Sequence, residues 1–117
     1  MSAYAVLGAV ERILGRGGDA DDVLREVVDA LRAEGEFDWV GISFFEKGAF
    51  VLGPSSGESA GEPARVPISY DGNVVAELGV VAPDLSAEDR ALLERVAELL
   101  APYCLVAWDT GGEAWTP

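Results

Sequence analysis

Ala76-Glu77-Leu78-Gly79-Val80-Val81-Ala82-Pro83, followed at once by Asp84-Leu85-Ser86-Ala87-Glu88-Asp89-Arg90-Ala91-Leu92-Leu93-Glu94, is the stretch that decides the fold. Its first half reads as the end of a strand begun at Asn73, with Val74, Ala76, Leu78 and Val80 on one face. Its second half opens a helix. Ser86 stands at the N-cap and Asp89 three residues on, the arrangement in which side chain and backbone satisfy each other's free donors. Leu92, Leu93, Val96, Leu99 and Leu100 form the buried stripe. Pro102 is expected to kink or end that helix, because proline lacks the donor and crowds the preceding turn. An apolar segment, Tyr103–Trp108, and a polar tail carrying Trp115 follow.

Upstream of Asn73, Asp71-Gly72 is a hairpin turn signal joining that strand to Arg65–Tyr70. Pro67 cannot donate to a ladder, so this strand belongs at a sheet edge. Trp39–Phe45 is dense in β-formers, and Glu46-Lys47-Gly48 turns it into a strand over Ala49–Leu52. Gly53–Pro63 is rich in turn residues without periodicity and reads as a loop. Earlier still, Val6, Leu7, Val10, Ile13 and Leu14 recur at helical spacing over Ala3–Leu14 and stop at Gly15. Asp19, Asp21 and Asp22 crowd the start of a second helix, where carboxylates complement its exposed N–H groups. Its apolar face is Val23, Leu24, Val27, Val28 and Leu31, and Gly35 ends it.

The expected fold is α+β: an antiparallel sheet of about four strands with N- and C-terminal helices on one face, in the order α-α-β-β-β-β-α. The sheet face toward the helices gathers Val40, Ile42, Phe44, Val66, Ile68, Val74, Ala76, Leu78 and Val80. The other face is mixed, with Trp39, Gly41, Ser43, Phe45, Arg65, Ser69, Val75, Glu77 and Gly79. The chain reads as one domain over residues 1–117: a helix and joint at 1–18, a core at 19–101, and an apolar segment and tail at 102–117.

Composition excludes more than it assigns. The 117 residues hold 21 acids against 8 bases, a formal charge of −13. Such a surface repels phosphate backbones and anionic lipid, so neither nucleic acid nor membrane is an expected partner. Met1–Gly18 has no basic region ahead of an apolar run and does not read as a signal peptide, which makes the cytoplasm the expected location. There is no histidine and Cys104 is the single cysteine, so the usual general base, the usual zinc ligand and any intrachain disulfide are missing together. No cofactor and no metal is expected. The acids near residue 20 read as a helix start rather than a metal cluster.

Two stretches give the pattern a resemblance. Ala76–Pro83 with Asp84–Glu94 resembles the final strand and closing helix of the GAF family, a PAS-like fold. Trp39-Val40-Gly41 and Val51-Leu52-Gly53-Pro54-Ser55-Ser56-Gly57 are similar to the branch containing the free methionine-(R)-sulfoxide reductases. The likeness covers roughly Val23 to Leu100, as a shortened GAF domain. It departs at the chemistry: glycine stands at Gly61 where that branch would carry a cysteine, its central insert is missing, and Ser43 occupies a place where an aromatic is usual. Sulfoxide reduction needs a reactive thiolate and a resolving thiol. Cys104, inside an apolar stripe, has the setting of an inert one.

The resemblance implies a ligand site on the sheet face away from the terminal helices. There the candidate ligand-binding residues are Trp39, Ser43, Phe45, Arg65, Ser69 and Glu77. Trp39 and Phe45 would stack on a ligand and Arg65 would hold a carboxylate. The competing reading pairs Arg65 with Glu77 across strands and packs Trp39 under the loop. The expected role is a non-catalytic small-molecule-sensing or protein-interaction module in signalling or regulation. A divergent reductase and a purely structural dimerisation domain are the alternatives. A homodimer through the first helix's apolar stripe is expected, with a small-molecule ligand or a second protein as further partners.

Overall fold

The computed structural model describes residues 3–58 and 61–111, and the side chains of residues 4–58 and 61–104. Two helices, α1 (Ala3–Arg16) and α2 (Ala20–Gly35), precede strands β1 (Trp39–Glu46), β2 (Ala49–Gly57), β3 (Ala64–Tyr70) and β4 (Asn73–Val81), and α3 (Ala87–Gly111) follows. The strands form one antiparallel sheet in the order β2-β1-β4-β3, which leaves β2 and β3 at the edges. The expected fold class and element order hold.

The sheet's helix-facing side is fixed by register. Val40 faces Val80, Ile42 faces Leu78 and Phe44 faces Ala76, while Val66 and Ile68 continue the rows from β3. Those β-branched and leucine side chains are buried against Val23, Leu24, Val27, Val28 and Leu31 of α2 and Leu93, Val96 and Leu100 of α3. The α1 helix packs chiefly on α2 and also on α3, with Val6 and Val10 fully buried. It forms a second tier and does not lie on the sheet with the other two. Val6 and Val10 of the stripe assigned to dimerisation are therefore occupied within the chain, and Leu7, Ile13 and Leu14 are partly so.

Both hairpins turn on two residues with positive φ, Lys47-Gly48 at 50° and 82° and Asp71-Gly72 at 55° and 84°, the conformation that matches strand twist. At the start of α3 the Asp89 amide donates to the Ser86 hydroxyl at 3.0 Å, and the Ser86 amide donates to the Asp89 carboxylate at 3.1 Å. Ser86→Ala breaks this reciprocal pair. It is expected to lower stability by about 1 kcal/mol, seen as an earlier denaturant midpoint at unchanged slope.

Three expectations are corrected. Gly53–Gly57 is strand and not loop, because a bulge places Gly53 and Pro54 together opposite Ile42 and lets Ser55, Ser56 and Gly57 pair with Gly41, Val40 and Trp39. Pro54 is tolerated because β2 is an edge. The Phe44 ring lies where a Cβ on Gly53 would be, 2.3 Å away, so glycine is required there. Helix α3 runs through Pro102 instead of ending, with that proline exposed so that the carbonyl left without a partner faces water. Val74 is 43% exposed while Val75 packs against the core, because the ladder slips between Ile68 and Ser69 and leaves Val75 without a partner. As expected, α2 ends at Gly35, but the left-handed conformation falls on its cap, Glu36 (φ 58°). Gly35 serves a different need: the Phe37 ring occupies the place of its missing side chain, 2.4 Å away.

Candidate functional site

The sheet face away from the helices is built on two glycines. Gly41 and Gly79 are direct partners in neighbouring central strands, and together they leave a trough. The Trp39 indole, entering from the start of β1, lies along it. A Cβ on Gly41 would come within 2.4 Å of that ring, and one on Gly79 within 3.1 Å. Leu52 borders the trough on one side and Pro63 on the other. Trp39 is 9% exposed as a result.

Polar groups lie at the rim. The Arg65 guanidinium is 3.3 Å from the Glu77 carboxylate and 3.6 Å from that of Glu62. Arg65 is half-exposed and Glu77 mostly covered, so the pair contributes at most about 1 kcal/mol to stability. It fixes a charged edge beside the indole. Ser43 is the cross-strand neighbour of Glu77 and of Leu52. The backbone of β3 is tied down from the helix side, where the Arg90 side chain donates to the Arg65 carbonyl at 3.2 Å.

Of the six candidate residues, four gather: Trp39, Ser43, Arg65 and Glu77. Phe45 lies at the hairpin end, 38% exposed, its ring 5.2 Å from that of Phe50 in a tilted contact. Ser69 belongs to a different place. It borders a groove of about 320 Å³ between β3 and α3, with Val66, Pro67, Glu94, Ala97 and Glu98. Both halves of the competing reading describe the geometry: Arg65 pairs with Glu77, and Trp39 is covered beside Pro63. Leu52, Pro63, Gly41 and Gly79 were missed as site-forming residues. The available signal was the two glycines inside strands, which mark a close approach.

The remaining chemistry is sparse. Cys104 is fully buried in α3, on the helix side of the sheet, and burial pushes its thiol from 9.0 up to about 12. Among the described residues no group of three or more acidic or thiol side chains is placed to hold a metal ion, and no helix is long and apolar enough to cross a membrane. The segment beyond Pro102 with Trp108 and Trp115, expected either to fold back over the open sheet face or to pair with a second copy, has its side chains from residue 105 on outside the described residues.

The sequence matches no known family profile and no curated protein. Solved structures do match. The GAF domain of a phosphoenolpyruvate-protein phosphotransferase from Coxiella burnetii superposes with a TM-score of 0.76 at 16% identity, over 96% of this chain and 99% of that one. A free methionine-R-sulfoxide reductase from Neisseria meningitidis, solved with its substrate, gives 0.72 at 14% identity, over 92% and 93%. A type II free methionine-R-sulfoxide reductase from Thermoplasma acidophilum gives 0.64 at 19% identity, over 73% and 92%. Identities this low speak for architecture alone, and the architecture serves both enzymes and domains of larger proteins. The helix order, the four-stranded sheet and these superpositions together establish that the chain has the GAF fold.

Proposed function

We propose that this chain is a non-catalytic GAF-fold module that binds a small molecule or a protein partner in signalling or regulation. The observation that carries the reading is the position of its single thiol. Cys104 is buried in α3 behind the sheet, remote from the open face, and held neutral. Reductive chemistry on a sulfoxide needs an accessible thiolate and a second thiol to resolve the product, and the chain contains one cysteine. What the open face offers instead is recognition: the half-exposed Arg65 paired with Glu77, and Ser43 beside it, above a buried indole. Such a surface suits a small zwitterionic ligand held by charge.

Thermal denaturation against a panel of metabolites tests this. The panel includes methionine sulfoxide, free amino acids and cyclic nucleotides. A ligand at about 100 times its Kd adds about 2.7 kcal/mol, which raises the melting point of a domain this size by several degrees. The expected result is a dose-dependent shift that disappears in Arg65→Ala. Consumption of methionine sulfoxide with thiol reductant, retained in Cys104→Ala, would show a catalytic module that works without this thiol and would sink the reading.

A further inference from the structure

The two edges of the sheet are treated differently. Along β3 the outward peptide groups alternate from Ser69 through Pro67 to Arg65, since the turn-flanking pair Tyr70–Asn73 bonds inward. Pro67 has no N–H to offer, and the Arg65 carbonyl already accepts from Arg90. That edge is blunted. Along β2 the same logic, starting from the turn-flanking pair Glu46–Ala49, turns the N–H and C=O of Phe50 and Leu52 outward. Among the described residues nothing blunts them before the Gly53-Pro54 bulge. Phe50 is 44% exposed, Val51 49% and Leu52 55%, and no charged residue occurs between Ala49 and Gly57. Natural edges normally carry a charge or a proline in such a place.

We propose that a second copy of this chain pairs here, β2 against β2, antiparallel about a twofold axis through Val51, and joins the two sheets into one of eight strands. The stretch is self-complementary. With Val51 on the axis, Phe50 faces Leu52 of the second copy and Ala49 faces Gly53, so outward peptide groups meet each other and apolar side chains share a face. Phe45, in contact with Phe50, extends the apolar strip on that face. Charge favours this site over others: two copies of formal charge −13 repel, and an uncharged strip lets them approach with the least penalty. A basic peptide, by contrast, would find no carboxylate between Ala49 and Gly57 to recognise. The α1 stripe is the rival surface, but Val6 and Val10 are already buried inside the chain. The exposed parts of Phe45, Phe50, Val51 and Leu52 come to roughly 300 Å² per copy, taking about 200 Å² as the size of a whole aromatic side chain. A stable interface usually buries about 800 Å² per partner. The dimer is therefore an exchanging one, and the proposal stands independently of any ligand on the open face.

Val51→Cys tests the axis directly. The peptide groups of Val51 point toward β1, so in this arrangement the two Val51 positions form a non-hydrogen-bonded pair with Cα atoms about 4.5 Å apart, within the span of a disulfide. In a glutathione redox buffer, Val51→Cys is expected to form covalent dimer at least about tenfold faster than Val74→Cys or Tyr4→Cys, whose sites are comparably or more exposed. The buried Cys104 adds no background. Sedimentation of the unmodified protein between about 10 and 500 µM gives the second arm. Its average mass should rise with concentration, rise further when salt screens the repulsion, and stay monomeric in Leu52→Lys. Preferential cross-linking of Tyr4→Cys, a dimer that survives Leu52→Lys, or no association at the highest concentration would each overturn the proposal.

Discussion

Replacing Gly41 with alanine is expected to expel the Trp39 indole and cost about 2–4 kcal/mol. The added Cβ would stand 2.4 Å and 2.5 Å from two atoms of the ring's outer edge, far inside van der Waals contact. The indole is rigid and cannot yield at one end. It has to rotate as a unit, away from Gly79 and Pro63, which surrenders most of its burial. An indole loses on the order of 100–150 Å² of contact in doing so, and at about 25 cal/mol per Å² that gives the quoted range. Gly79→Ala provides the graded comparison. Its Cβ would lie 3.1 Å from the ring, a distance relieved by a shift of a few tenths of an ångström, and about 1 kcal/mol is expected. Chemical denaturation measures both. Trp39 emission, in a background with Trp108 and Trp115 replaced by phenylalanine, should move to the red in Gly41→Ala and hardly at all in Gly79→Ala. A Gly41→Ala protein of full stability would mean that Trp39 swings aside freely. The trough would then act as a gated pocket, and ligand screens should be repeated on that variant.

This contrast also marks how far the sequence can be read. Elements whose signal is local were legible. The Ser86–Asp89 cap, the Asp71-Gly72 turn, the edge position of Pro67 and the apolar face of α2 each rest on a few neighbouring residues. Features that depend on two distant segments meeting were not. Nothing near Gly53 says that it will be strand, since turn-forming residues dominate the stretch locally. It pairs only because β1 offers Trp39, Val40 and Gly41 as partners and a bulge absorbs the extra residue. Gly41 and Gly79 each look like a weak point in a strand. Their shared purpose exists only once β1 and β4 align in register. The same holds for Val74 and Val75, whose exchange of places follows from a one-residue slip between β3 and β4. The candidate site was half legible for this reason. Trp39, Ser43, Arg65 and Glu77 do converge, whereas Ser69 lies past the slip, at the groove against α3. Alternation assigned it to a face but could not place it along the strand relative to Trp39.

Cys104 should behave as a thiol whose thiolate hardly exists in the folded protein. Its proton leaves near pH 12 instead of 9.0, because burial removes the water that would stabilise the thiolate. At pH 8 the thiolate fraction then falls from about one in ten to about one in ten thousand, so a disulfide reagent is expected to react roughly a thousand times more slowly than with the unfolded chain. Stability follows the same shift. The native state holds this proton more tightly than the unfolded state, so the contribution is fully present below pH 9 and is lost as pH climbs toward 12. The loss approaches 1.4 kcal/mol per pH unit, about 4 kcal/mol in the limit. Cys104→Ala removes the ionisable group. Its denaturation midpoint should therefore fall less steeply between pH 9 and pH 11 than that of the unmodified protein, despite a small cavity penalty at neutral pH. Reaction in the native state at the rate of a free thiol would contradict the burial. It would also remove the main support for a non-catalytic role, because an accessible thiolate behind the sheet could take part in redox chemistry with a partner's thiol. A slow reaction that accelerates only with denaturant would tie the thiol's exposure to unfolding, and leave recognition as the work of the open face.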